Sequence, residues 1–130
     1  MNLVDTSGWL EYFADTPSAK HFAKAIENTS TLIVPTIVLY EVFKKVRTEL
    51  GEDKAFVAVA QLKLGTVTAV DEAVALLAAK LSSDHKLPMA DALIYATAQL
   101  RGATVFTQDA HFRELPGVRY FEKASGVRPS

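Results

Sequence analysis

Four acidic residues in this 130-residue chain, Asp5, Glu41, Asp91 and Asp109, stand where carboxylates can act together. Asp5 follows the apolar run Leu3-Val4, and Asp109 ends the run Phe106-Thr107-Gln108-Asp109. Both runs read as short strands, and open α/β sheets bind ligands outside the carboxyl ends of their strands. If those strands are neighbours, the two carboxylates meet at one edge. Taken singly, an acid after a strand caps a helix or starts a turn. Asp91 is the only charge between Pro88 and Leu100, in the segment PMADALIYATAQL. A helix this apolar is mostly buried, and a buried unpaired carboxylate is costly. First-turn placement, where the helix dipole favours an acid, explains it equally well. Glu41 has the most ordinary explanation of the four. It lies opposite a Leu39/Phe43/Val46/Leu50 stripe, with Lys44 and Lys45 at i+3 and i+4, as in a surface ion pair.

Convergence of these groups would have a physical consequence. Two carboxylates about 5 Å apart repel by roughly 3 kcal/mol at an effective dielectric near 20. Four together would rival the net stability of a whole domain, about 5–15 kcal/mol. Such a cluster needs a cation, shared protons or a basic neighbour. The chain has no cysteine, so thiolate-bound zinc, iron–sulfur chemistry and disulfides are excluded. Oxygen ligands without sulfur favour a hard ion, Mg²⁺ or Mn²⁺, with water completing its shell.

The elements that would position these acids alternate along the chain. A strand at Leu3-Val4 leads into a helix carrying Trp9, Leu10, Tyr12 and Phe13. Thr16-Pro17 reads as an N-cap and first helical residue, opening a helix through about Ile26. Thr31 to Val34 is strand-like and stops at Pro35. Leu39, Val42, Phe43, Val46 and Leu50 recur at helical spacing up to Gly51, and a similar helix runs from Glu52 to Leu64. Thr66 to Val70 is β-branched, and Asp71 caps an alanine-rich helix to about Ser83. Pro88 opens a helix that stops at Gly102; Ala103 to Thr107 is a fourth strand and Arg119 to Phe121 a fifth. This order predicts an α/β fold of three layers, α/β/α, with a central parallel sheet of four or five strands and right-handed crossovers. One domain over residues 1–121 and a tail over 122–130 are expected.

Composition narrows the class. Hydrophobic residues make up 49% of the chain and charged residues 22%, an ordinary globular balance. The formal net charge of −1 argues against binding nucleic acid through a broad basic surface. It leaves room for a mildly basic body around an acidic hole. No stretch suits a membrane span, and Met1-Asn2-Leu3-Val4-Asp5 lacks the basic start of a signal peptide, so a cytoplasmic location is expected. His21, His85 and His111 lack the helical pairing of a zinc site and read as surface or partner-facing. No glycine cluster forms a phosphate loop. Trp9, Tyr12 and Phe13 read as core or dimer surface in preference to a base-stacking platform.

Leu3-Val4-Asp5-Thr6-Ser7, Glu41 in the helix after the second strand, Leu87-Pro88-Met89-Ala90-Asp91-Ala92, and Thr107-Gln108-Asp109 with Phe112 together resemble the PIN-domain ribonucleases, and most of all the VapC toxins of toxin–antitoxin pairs. The resemblance runs from Asn2 to about Phe121. It implies a parallel sheet between helical layers and Mg²⁺- or Mn²⁺-dependent endonucleolytic cleavage of RNA, including tRNA or other structured RNA. It also implies a cognate VapB-like antitoxin and a homodimer. Carried over by position, Asp5, Glu41, Asp91 and Asp109 form the acidic quartet, supported by the hydroxyls of Thr6, Ser7 and Thr107. Where the family has a more polar turn before its glutamate, this chain has Ile37-Val38-Leu39-Tyr40, so the three aspartates match more closely than Glu41. Lys44, Lys45, Arg47 and Lys86 are candidates for RNA phosphate contacts.

Two other functions compete. A phosphotransfer or signalling domain, receiver-like or haloacid-dehalogenase-like, also has an aspartate after its first strand. Asp5-Thr6-Ser7 lacks the Asp-x-Asp of the dehalogenase-like phosphatases, and the acidic pair of receivers is absent there. A catalytically silent interaction protein on the same fold would not need four acids.

Overall fold

The computed structural model describes residues 1–123. Residues 124–130, most of the expected tail, lie outside the described residues. Five strands form one sheet: β1 (Asn2–Val4), β2 (Leu32–Pro35), β3 (Thr66–Thr68), β4 (Thr104–Thr107) and β5 (Val118–Tyr120). Their order is β3-β2-β1-β4-β5 and every pairing is parallel. Six α-helices connect them: α1 (Thr6–Ala14), α2 (Lys20–Glu27), α3 (Thr36–Leu50), α4 (Glu52–Leu62), α5 (Glu72–His85) and α6 (Met89–Arg101). Parallel strands need such crossovers, and the helices cover both faces, giving the three-layer α/β/α architecture expected.

The chain lays down β1, β2 and β3 outward on one side, then returns to place β4 against the other side of β1. The strand order therefore reverses between β1 and β4, where the carboxyl ends of the strands leave a crevice. Asp5 follows β1 and Asp109 lies two residues beyond β4, so both acids fall at the switch point. The register pairs Leu3 with Val105 and Val4 with Phe106, which sets the two strand ends level.

The core is continuous under the crevice. Leu3, Val4, Ile33, Val34 and Val105 from the sheet pack with Trp9, Phe22, Val38, Val42, Ile94, Tyr95 and Phe112. Gly8 allows α1 to sit this close: a Cβ there would lie 2.6 Å from both Phe22 Cδ1 and Val4 Cγ1. In α6, Ala92, Ile94, Tyr95, Ala96, Thr97 and Ala98 are all buried, as the apolar segment requires. Gly102 ends that helix in the left-handed region at φ 65°.

Three local readings are corrected. Thr16 has cap-like extended backbone, but its hydroxyl donates to Glu11 Oε1; the chain first makes a 3-10 turn, Pro17–Ala19, before α2 begins. The buried stripe of α3 is Val38/Val42/Val46, a run of i+4 spacings, and Leu50 is exposed at the end of the helix. Third, α5 continues to His85, shortening the loop before α6. Among the described residues no helix is long and apolar enough to cross a membrane.

Candidate active site

The ordinary roles of the acids as caps are what aim them. Asp5 is the N-cap of α1: Oδ1 accepts from the Gly8 N–H at 3.0 Å and from Ser7 Oγ–H at 2.7 Å. Its other oxygen, Oδ2, accepts from Thr107 Oγ1–H at 2.6 Å. Thr107 is fully buried and itself accepts from the Asp109 N–H at 2.8 Å, so one hydroxyl ties the end of β1 to the turn after β4. Ser7 Oγ also accepts from the Gln108 N–H at 3.3 Å. Asp109 caps the 3-10 turn Ala110–Phe112, accepting from the His111 N–H at 2.9 Å.

Asp91 reaches the same place from the first turn of α6, with its side chain 14% exposed. His111 Nδ1 lies 3.0 Å from Asp91 Oδ2 and 2.9 Å from Asp109 Oδ1. One ring nitrogen thus serves two carboxylates. Ligand atoms of Asp91, Asp109 and His111 all fall within 4.8 Å of one another. At that spacing two ionised carboxylates repel by about 3 kcal/mol at an effective dielectric near 20.

Burial pushes the Asp5 carboxyl up to about 6, against the lowering effect of its three hydrogen-bond donors, and the charge of Asp109 adds to the rise. Burial likewise lifts Asp91 to about 7, with further contributions from Asp109 and Asp5 and an opposing one from His111. Asp5, Asp91 and Asp109 therefore sense one another electrostatically. Thr107→Val is expected to raise the Asp5 carboxyl above its value of about 6, because a donor to the ionised form is lost while burial remains. Carbon-detected NMR titration of that carboxyl reads the shift, and an unchanged or lower value would contradict it.

Glu41 stands outside the close cluster and is joined to it through α1. Its Oε1 accepts from Thr6 Oγ1–H at 2.5 Å, and it is partly buried. The ion pair that would have kept it at the surface is absent among the described residues: Lys45 pairs with Glu49 at 2.9 Å, and Lys44 lies over the Tyr40 ring at 5.7 Å. Of the other basic candidates, Arg47 pairs with Glu52 at 3.6 Å. Lys86 ends α5 at φ 57°, in the short link to the α6 turn that carries Asp91.

His111 has no helical partner at metal-site spacing, and the sequence alone reads it as surface or partner-facing. Its side chain is 56% exposed, in line with a surface reading, yet Nδ1 faces inward to both acids. The available signal was its place two residues after Asp109, where a short capping turn brings the ring back over the capping carboxylate.

The donor set is carboxylate oxygen with one imidazole nitrogen and no sulfur, which suits a hard or borderline divalent ion. Asp91, Asp109 and His111 could hold such an ion directly, with Asp5 adjacent. A groove of about 780 Å³ opens beside this site between α1, α3 and α4. Leu10, Phe13, Val46, Leu50 and Val57 give it an apolar wall, and Ser7 and Gln108 lie at the end next to the acids.

The fold has solved relatives. A chain of a toxin–antitoxin complex from Klebsiella pneumoniae is 24% identical, with a TM-score of 0.76 over 92% of this chain and 96% of that one. A chain of DNA-bound VapBC from Salmonella typhimurium is 21% identical, with a TM-score of 0.75 over 93% and 98%. VapC20 of Mycobacterium tuberculosis, a sarcin–ricin-loop-cleaving toxin, is 18% identical, with a TM-score of 0.75 over 89% and 95%. No curated protein matches the sequence. The strand order differs from the 2-1-3-4-5 of flavodoxin-like folds, which removes the receiver-like alternative. The sequence model of the PIN domain matches residues 3–118, nearly the whole chain, and the chain belongs to the PIN domain family.

Proposed function

We propose that the chain is a divalent-metal-dependent endoribonuclease acting as the toxin of a toxin–antitoxin pair. The observation that carries this reading is the meeting of Asp91, Asp109 and His111 at the sheet's switch point, beside a buried Asp5. Membership of the PIN family and the toxin–antitoxin complexes among its structural relatives support it. In this reading Asp91, Asp109 and His111 would hold Mg²⁺ or Mn²⁺ beside Asp5, and Glu41, fixed by Thr6, completes the acidic rim. A divalent ion held there would supply Lewis acidity to activate a water and polarise the scissile phosphate.

The protein's own groups do the rest. Asp5, gripped by Ser7, Thr107 and the Gly8 amide, keeps its oxygens fixed. Asp91 would take the proton from an attacking water. Without an ion, His111 bridges Asp91 and Asp109 through one nitrogen. Lys86, free of ion pairs among the described residues, is the basic candidate best placed by sequence to meet a phosphate next to the α6 turn.

A VapB-like antitoxin would occupy the groove between α1, α3 and α4. That groove is apolar enough to bury a partner segment and ends at Ser7 and Gln108, so an occupant would also shut the approach to the acids. The functional test is cleavage of a structured RNA by the chain freed of any partner, with the new ends identified. The expected products carry 5′-phosphate and 3′-hydroxyl groups, and addition of the groove-binding partner stops the reaction. An intact RNA at all conditions would leave the silent interaction module as the better reading.

A further inference from the structure

One ring nitrogen separates the donor set of the acidic site from one made of oxygen alone. His111 Nδ1 lies 3.0 Å from Asp91 Oδ2 and 2.9 Å from Asp109 Oδ1. The short turn that carries it is fixed on both sides. Before it, Asp109 Oδ1 accepts from the His111 N–H at 2.9 Å, and the Phe112 N–H donates to the Asp109 carbonyl at 3.0 Å. After it, Phe112 is fully buried and packs on the buried ring of Tyr95, centroids 6.3 Å apart. His111 is thereby held over the two acids although its side chain is 56% exposed.

A protonated ring between two acids explains the ion-free contact, yet incompletely. Nδ1 carries a single hydrogen, and one hydrogen shared between two oxygens aligns fully with neither. Asp109 Oδ1 also accepts already from the backbone of the same residue. A metal ion uses these atoms without that conflict, because ligand atoms at right angles about an ion roughly 2.1 Å away stand about 3.0 Å apart. That is the spacing from Nδ1 to each carboxylate oxygen. The neutral ring then presents the Nδ1 lone pair to the ion and keeps its hydrogen on Nε2.

Nitrogen matters for which ion is held. Imidazole favours first-row transition ions, increasingly so from Mn²⁺ to Co²⁺, whereas Mg²⁺ prefers oxygen ligands and gives up its water reluctantly. We propose that the Nδ1 of His111 makes this site select first-row transition ions, Mn²⁺ among them, over Mg²⁺. The proposal rests on the metal-dependent reading above and deepens it by naming the residue that sets the identity of the ion. Asp91 and Asp109 supply the charge that draws any divalent cation, and His111 supplies the discrimination.

Two measurements test this without recourse to activity. Pulsed electron paramagnetic resonance of the unaltered chain loaded with Mn²⁺ should show the nitrogen modulation of a directly bound imidazole. Calorimetric titrations with Co²⁺, Mn²⁺ and Mg²⁺ are then compared between the unaltered chain and His111→Asn, whose side-chain oxygen replaces the nitrogen at nearly the same place and leaves the charge of a neutral ring unchanged. The variant should lose about tenfold or more in affinity for Co²⁺, less for Mn²⁺ and little for Mg²⁺, and its nitrogen modulation should disappear. A merely structural role of His111 would weaken all three ions alike, and that result overturns the proposal. Mn²⁺ binding without nitrogen modulation in the unaltered chain overturns it too, whether or not the variant folds; equal thermal midpoints in chelator verify that it does. Failure of the unaltered chain to bind any of the three ions defeats the metal-dependent reading itself and this proposal with it, whereas binding without nitrogen modulation leaves that reading standing.

Discussion

Asp91→Asn is expected to abolish the proposed RNA cleavage, lowering kcat by about a thousandfold or more, while the protein folds and its thermal midpoint at neutral pH rises. The expected rate loss follows from removing a carboxylate that would hold the ion and accept the proton of the attacking water; general acid–base catalysis alone contributes about 10²–10⁴-fold. The gain in stability follows from the same geometry. Asp91 carries charge in a largely buried position against Asp109, and its one favourable contact is a shared nitrogen of His111. Asparagine keeps the shape and drops the repulsion. Asp5→Asn is the informative contrast. It loses activity as well, but Oδ1 and Oδ2 of Asp5 satisfy three donors, so an amide there gains little stability. Unchanged turnover in both variants would remove the two acids from the site.

Withdrawal of divalent ions is expected to be as severe for activity, and to leave a signature in stability against pH. Asp5 and Asp91 have folded-state values of about 6 and about 7, above their ordinary value of 3.8. Between those limits the folded chain binds more protons than the unfolded one, so the metal-free protein loses stability as pH rises from about 4 to about 7. For Asp5 alone the shift corresponds to on the order of 3 kcal/mol. A bound cation favours the ionised acids and should flatten or reverse that slope. Thermal unfolding with chelator and with Mn²⁺ across this range checks the sign, alongside RNA cleavage, which chelator should stop. Chelator-resistant cleavage, or a metal-free stability that climbs across the window, would contradict this account.

How much of this is legible in the sequence depends on which interactions are local. Short apolar runs ending at Asp5 and Asp109 mark strands whose carboxyl ends carry acids, because strand and cap signals lie within a few residues of each other. The apolar segment around Asp91 announces a buried helix for the same reason. Which strands are neighbours is a non-local property, and the pairing of β1 with β4 is what turns two unremarkable caps into one site. Glu41 shows the limit most clearly. Lys44 and Lys45 at i+3 and i+4 suggest a surface pair, but Lys45 goes forward to Glu49 and the glutamate is taken by Thr6, 35 positions away. His111 carries no helical-spacing signal, because a capping turn, not a helix, brings it to the acids.

Acids from distant stretches of chain meet at the switch point, and a divalent ion is expected to bind there. Calorimetric titration of the partner-free chain with Mn²⁺, repeated on Asp91→Asn/Asp109→Asn, tests it most directly. The account predicts saturable binding by the unaltered chain and a loss of affinity of about a hundredfold or more in the double variant. Absence of binding by the unaltered chain, or equal affinity in the variant, would contradict it.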